Sequence, residues 1–266
     1  MKTIDTAVLA GYNAGIERDR LRTGIGLIEF ERTKEILLEK LPKPPAVIYD
    51  IGGAYGEYSW WLTSLGYEVH LFDLSETNIT MSADLAAEYP GVKLASATVC
   101  DARSIPRPDK SADAVLLMGP LYSIIEYEER ILAIEECGRL LKDDGILFSA
   151  ALTPYSVLVP RIALYHIDGT AKRRELDDPA VISMIERALE DGCYCKPGKE
   201  NSQRTGIFPP AHRKSIAGRT VGGWIRHCYR PRYHGRCMVG TESGRPFGKR
   251  GNESGADENR PNAGYT

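Results

Sequence analysis

The stretch "VIYDIGGAYGEYSWW", residues 47–61, decides how the rest of the chain is read. A short apolar run closes on Asp50. Glycines follow at 52, 53 and 56, and then a segment of helical character. A glycine turn between a strand and a helix lets backbone approach a ligand closely. Two common versions of that turn are excluded. The phosphate loop requires G-x-x-x-x-G-K-[ST]; here Gly52 and Gly56 are too close together, and Glu57 stands where lysine is needed. The dinucleotide fingerprint G-x-G-x-x-G would place glycine at 52, 54 and 57, where the chain has Gly52, Ala54 and Glu57.

Outward from this turn, apolar runs alternate with helical ones. "AVIYDI" (46–51) reads as a strand buried on both faces. "GEYSWWLTSLG" (56–66) is helical with Gly66 at its end, and Trp60 and Trp61 are core positions. "YEVHLFDL" (67–74) is a second strand; "SETNITMSADLAAEY" (75–89) is a helix with Ser75 as N-cap. Strands follow at 92–99 and 112–119, then an amphipathic helix at 125–142 and a fifth strand at 145–152. This alternation predicts an α/β fold, a Rossmann-like, mostly parallel, doubly wound sheet flanked by helices.

The acidic residue followed by small residues at 52, 54 and 56 resembles the D/E-x-G-x-G-x-G turn of class I S-adenosylmethionine (SAM)-dependent methyltransferases, with Ala54 in place of the middle glycine. Asp73 closing the second strand, "CDAR" (100–103) after the third, "LLMGPLYSI" (116–124) and "RLLKDDGILFSA" (139–150) resemble further motifs of that family. The resemblance covers residues 1–195. It implies SAM as cofactor, bound by Asp50, Ile51, Gly52, Gly53, Gly56, Asp73, Leu74, Asp101, Ala102 and Met118. Asp50 would order the loop or meet the ammonium group, Asp73 would accept from the ribose hydroxyls, and Asp101 from the adenine amino group. No metal is implied. The fold obliges no catalytic residue, because methyl transfer from a sulfonium rests mainly on alignment. Tyr12, Glu29, Arg32, Tyr122 and Ser123 are the residues near the acceptor side, and Ser123 stands where relatives often carry histidine. The implied acceptor is a small molecule.

Residues 1–45 read as an N-terminal helical cap, with Leu21, Ile25, Ile28, Ile36 and Leu37 on one face and Gly24 and Gly26 as breaks. Residues 46–152 form the SAM-binding core. Residues 153–195 are a helical insert or lid, with helices in "YSVLVPRIALYHI" and "DDPAVISMIERALEDG". No signal peptide is evident, and the longest uncharged apolar run, 114–125, falls short of the roughly 18 residues of a membrane span. Together with six scattered cysteines, this predicts a cytoplasmic protein.

Residues 196–266 differ from everything before them. They hold 14 Lys and Arg against 5 Asp and Glu, and no leucine, whereas residues 1–195 contain 24 leucines. No convincing hairpin is present, so the C-terminal strands of the fold are expected to be missing or aberrant. Three readings stand: a basic tail for nucleic acid, which would make this a nucleic-acid methyltransferase; a zinc site from Cys193, Cys195, His212, His227, Cys228, His234 and Cys237, whose spacings match no standard finger; and an out-of-frame reading of a normal C-terminus. The last is favoured, because an abrupt loss of leucine with a rise in Gly and Arg is what a shifted frame of a GC-rich gene gives, and the final "NAGYT" read one base later permits Met-Leu-Asp-Thr. It leaves, as a further alternative, a SAM-binding module without activity.

Overall fold

The apolar runs assemble into a sheet whose strand order turns the glycine loop toward an open crevice. A computed structural model describes residues 6–15, 17–152, 177–190, 193–195, 204–206, 227–229 and 236–240. In chain order the elements are α1 (Thr6–Asn13), a 3-10 turn (Arg20–Arg22), α2 (Gly24–Lys40), β1 (Val47–Ile51), α3 (Glu57–Ser64), β2 (Glu68–Asp73), α4 (Glu76–Ser82), a second 3-10 turn (Ala83–Glu88), β3 (Ser96–Val99), β4 (Ala112–Leu117), α5 (Pro120–Ser123), α6 (Tyr127–Leu140), β5 (Leu141–Leu152), α7 (Pro179–Glu190), β6 (Cys193–Cys195), β7 (Arg204–Gly206), β8 (His227–Tyr229) and β9 (Arg236–Gly240).

The main sheet has the order β3-β2-β1-β4-β5-β9-β8. Its first five strands are parallel, as predicted, while β9 runs antiparallel to β5 and β8 antiparallel to β9. The winding reverses between β1 and β4, and a crevice opens at the carboxyl ends of an open sheet at such a point. Successive β1 residues serve opposite faces. Ile48 packs with Leu37, Leu62, Val69, Leu71, Leu116 and Phe148; Tyr49 and Ile51 pack with Phe72, Val115, Leu117, Leu140 and Leu147. The continuous apolar run at 46–51 is therefore a strand buried on both sides.

Several expectations are corrected. Ile25 and Ile28 do not share the buried face of α2; they are 62% and 56% exposed. The inward positions are Gly26, Thr33, Ile36 and Leu37. Gly26 does not break the helix. A Cβ there would lie 1.8 Å from the Arg20 carbonyl oxygen, so the glycine lets α2 pack onto the preceding 3-10 turn. The fifth strand, expected to begin at 145, begins at Leu141, so Asp143-Asp144-Gly145 lies inside β5, where the register shifts between Leu141↔Ala112 and Ile146↔Ala114. A bulge absorbs the extra residues.

The C-terminal strands, expected to be missing or aberrant, are present but short. β8 has three residues and β9 five, and they cover the edge of β5. A second pair, β6 and β7, joins residues 193–195 and 204–206. Main-chain hydrogen bonds suffice for such pairs, so they need no long alternating pattern that a sequence would display. Of the two helices expected between 153 and 195, α7 is present, and "YSVLVPRIALYHI" lies outside the described residues. No described helix is long and apolar enough to cross a membrane.

Candidate functional site

The site grows from the β1–α3 turn. Gly52 has φ +69° and Gly56 φ +89°, both in the left-handed region that disfavours a Cβ. The Gly52 amide donates to the Phe72 carbonyl at 2.7 Å, tying the turn to the end of β2. From the other side α5 closes in. A Cβ on Gly52 would lie 2.4 Å from Pro120 Cγ, and one on Gly119 would lie 2.9 Å from the Gly52 carbonyl oxygen. The "GPLYS" segment is thus interlocked with the glycine turn.

Ala54, the departure from an all-glycine pattern, also sits at positive φ, +52°. Its strained backbone is held by a hydrogen bond from its own amide to Asp73 Oδ2, 2.9 Å. The same carboxylate accepts from the Ser75 amide at 2.8 Å and from Asn78 Nδ2 at 3.1 Å. Asp73 therefore joins the turn after β1 to the start of α4. Ser75 caps α4 as predicted, accepting from the Asn78 amide at 3.1 Å. Burial pushes the Asp73 carboxyl above its ordinary range, against the pull of those three donors. Asn78 Oδ1 is buried beside it with no donor.

Asp50 at the end of β1 is buried, accepting from Ser59 Oγ at 2.7 Å. Burial pushes its carboxyl up to about 6. A Cβ on Gly53 would lie 2.5 Å from Asp50 Oδ2, so this carboxylate lies directly against the turn. Ile51 lies in the core, and Leu74 is half-buried. Asp101 follows β3 and carries hydrogen bonds from the Arg103 amide (2.9 Å), Nε (2.8 Å) and Nη2. Ala102 packs on the α6 side of the sheet and Met118 on the opposite side.

The N-terminal elements lean on these loops. Tyr12 OH and Ser123 Oγ share a hydrogen bond of 2.6 Å, and Ser75 Oγ donates to Asn13 Oδ1 at 2.6 Å. The Asp19 amide donates to Tyr55 OH. Arg22 pairs with Glu57, the first residue of α3, and with Glu88. Glu29 faces inward and pairs with Arg20 at 3.0 Å, but Arg32 lies outward, beside Glu35. Tyr12 and Ser123 are thus brought together, Glu29 is held by Arg20, and Arg32 is exposed on the outer side of α2. Burial, with the fields of Tyr122, Glu17 and Asp73, pushes the Tyr12 phenol well above its ordinary range, so it holds its proton.

Sequence reasoning missed Ser59, Asn78, Asn13 and Arg103. Asn78 stands three residues after the Ser75 cap and Arg103 two after Asp101, but neither spacing names a partner across the fold. Trp60 is core, as expected; its Nε1 donates to the Ser82 carbonyl at 3.0 Å. The side chains of the zinc candidates at 193, 195, 227, 228 and 237, and residues 212 and 234, lie outside what is described. Among the described residues, no group of three His, Cys, Asp or Glu side chains could hold a metal ion.

Residues 49–149 match the family model described as a methyltransferase domain. No curated protein matches the chain by sequence. Among solved structures, a SAM-dependent methyltransferase of Methanosarcina mazei is 22% identical, with 78% of this chain and 97% of that one covered and a TM-score of 0.53. Magnesium protoporphyrin IX methyltransferase of Synechocystis PCC 6803, with bound S-adenosylhomocysteine (SAH), is 16% identical over 90% and 99%, TM-score 0.59. A protein of Pyrococcus horikoshii OT3 is 17% identical over 84% and 93%, TM-score 0.56. These likenesses are of fold. With the family match at residues 49–149, they give this chain the fold of SAM-dependent methyltransferases.

Proposed function

We propose that this SAM-dependent methyltransferase domain transfers a methyl group to a small molecule, held at the carboxyl ends of β1 and β4 beneath the N-terminal cap. The observation that carries the reading is Asp73 at the end of β2, whose carboxylate takes one hydrogen bond from the β1 turn at Ala54 and two from the start of α4 at Ser75 and Asn78. The residues fit the cofactor. Carboxylates at the ends of β2 and β3 match a ribose diol and an exocyclic amino group. The orphan acceptor Asn78 Oδ1 beside Asp73 also calls for a donor. Three acidic residues, Asp50, Asp73 and Asp101, suit a cationic ligand.

When bound, SAM supplies a methyl group already activated by the sulfonium charge. The chain's own part is to align and to exclude water. Asp73 and Asp101 hold the two ends of the adenosine, and Asp50 keeps the turn in shape from below. Pro120 wedges α5 against the turn, so that Tyr122 and Ser123 face the acceptor side. Tyr12 keeps its proton and acts as a hydrogen-bond donor, not as a base. The small-molecule reading is preferred over a nucleic-acid substrate because the cap's hydrogen bonds with Ser75 and Ser123 narrow the approach to the strand ends.

Calorimetric titration with SAM and with SAH tests the cofactor assignment; a folded protein that binds neither overturns it. Transfer of radiolabelled methyl to a panel of small molecules and to RNA separates the acceptor classes. Binding with no transfer to any acceptor favours a SAM-binding module without activity.

A further inference from the structure

Among the described residues, Asp101 takes its hydrogen bonds from Arg103, the last residue of the "CDAR" segment. Arg103 is buried, with its side chain 4% exposed, while the Asp101 side chain keeps 22%. The guanidinium holds the carboxylate in a fork, Nε to Oδ1 at 2.8 Å and Nη2 to Oδ2, and its own backbone amide reaches Oδ1 at 2.9 Å. On its far side, Nη1 donates to Glu129 Oε2 on α6. Arg103 thus sits between two carboxylates and is fixed by both, and each holds its charge firmly in place. A fork of this kind sets both the position and the plane of a carboxylate. Without it, Asp101 and Glu129 would lose the charge that offsets their mutual repulsion.

We infer that Arg103 is a positioning residue that makes this site specific for adenine, by presenting Asp101 as a fixed acceptor to the exocyclic amino group of the cofactor. The inference rests on the assignment of Asp101 to the adenine end. An amino group donates to such a carboxylate. A carbonyl oxygen at the same ring position faces it acceptor to acceptor, leaving a desolvated carboxylate unpaired. Discrimination between the two is strong only while the carboxylate cannot turn away. Lysine in place of Arg103 keeps the charge but loses the fork.

The test compares the affinities of the full chain for SAH and for S-inosylhomocysteine, which carries a carbonyl in place of the adenine amino group. The wild-type chain is expected to prefer SAH by roughly 30-fold or more, the scale of one charged hydrogen bond and its loss. Arg103→Ala brings the ratio to about threefold or less, mainly by weakening SAH; Arg103→Lys gives an intermediate ratio. Glu129→Gln, which can still accept from Arg103, keeps the wild-type ratio. Equal weakening of both ligands in Arg103→Ala and Arg103→Lys marks a merely structural role and overturns the inference. Asp101→Asn distinguishes the two layers. If it leaves the ratio unchanged, the assignment of Asp101 fails. If it abolishes the ratio while both Arg103 variants keep it, the assignment stands and the role of Arg103 fails.

Discussion

Replacing Gly52 by alanine adds one methyl group where the cofactor turn meets α5. That methyl would lie 2.4 Å from Pro120 Cγ and 2.5 Å from Cδ. A proline ring cannot swing aside as a long side chain would, so the backbone of α5 or of the turn must move, at about 1–3 kcal/mol for overpacking. The left-handed φ of +69° adds roughly 1–2 kcal/mol for any residue with a Cβ. The sum is about 2–5 kcal/mol. Gly91 supplies the control. Its φ is +80°, and a Cβ there meets nothing within 4 Å, so Gly91→Ala carries the backbone cost alone, roughly 1–2 kcal/mol. Urea denaturation of the three proteins gives the difference, with the slope checked for constancy. Gly52→Ala should be the less stable variant by about 1–3 kcal/mol, and should bind SAH at least tenfold more weakly because the turn is displaced. Equal losses in Gly52→Ala and Gly91→Ala would refute the interlock of α5 with the turn.

Three further outcomes follow from the same geometry. Burial raises the Asp50 carboxyl from 3.8 to about 6, so the folded state holds this proton more tightly than the unfolded chain. The stability contributed by protonated Asp50 is complete below pH 4 and is lost as pH rises through 6, with a slope of up to about 1.4 kcal/mol per pH unit. Asp50→Asn should remove that slope, as measured by denaturation midpoints between pH 4 and 7; an unchanged slope counts against it. Ala54→Gly should relieve the strain at φ +52° and raise stability by about 0.5–1 kcal/mol after the entropic cost of glycine, and a lower melting temperature would contradict this. Asp73→Ala leaves the Ala54 and Ser75 amides without their acceptor; it should cost about 2–4 kcal/mol and abolish measurable SAH binding by calorimetry.

Much of the architecture could be read from residue order. The run at 46–51 has no polar break before Asp50, and such runs belong to strands covered on both faces. Ser75 announced the start of α4, because a capping hydroxyl acts within three residues of itself. Asp73 could be named because it ends β2 and Asp101 because it follows β3 by two residues, and both are local features. Harder to read was the cap. Ile25 and Ile28 are as apolar as Ile36, yet the inward face of α2 lies about one residue away, where Gly26 allows close approach to Arg20. Helical spacing shows that a stripe exists, whereas the partner surface selects which stripe is buried.

The short β8 and β9 strands were likewise invisible, since pairing with the edge of β5 rests on main-chain groups that every residue carries. Residue types and spacing at 52, 54, 56 and 57 by themselves excluded a phosphate loop and a dinucleotide fingerprint. The resemblance carried by 50, 52, 54, 56, 73 and 101 pointed to a SAM-type turn. Tertiary structure alone decided what those residues do for one another. Asp73 supports the strained Ala54, Pro120 wedges Gly52, and Arg103 reaches from Asp101 to Glu129. Hydrogen bonds and steric contacts act over about 3 Å whatever the separation along the chain, so residues far apart in sequence acquire their roles only when the fold brings them together.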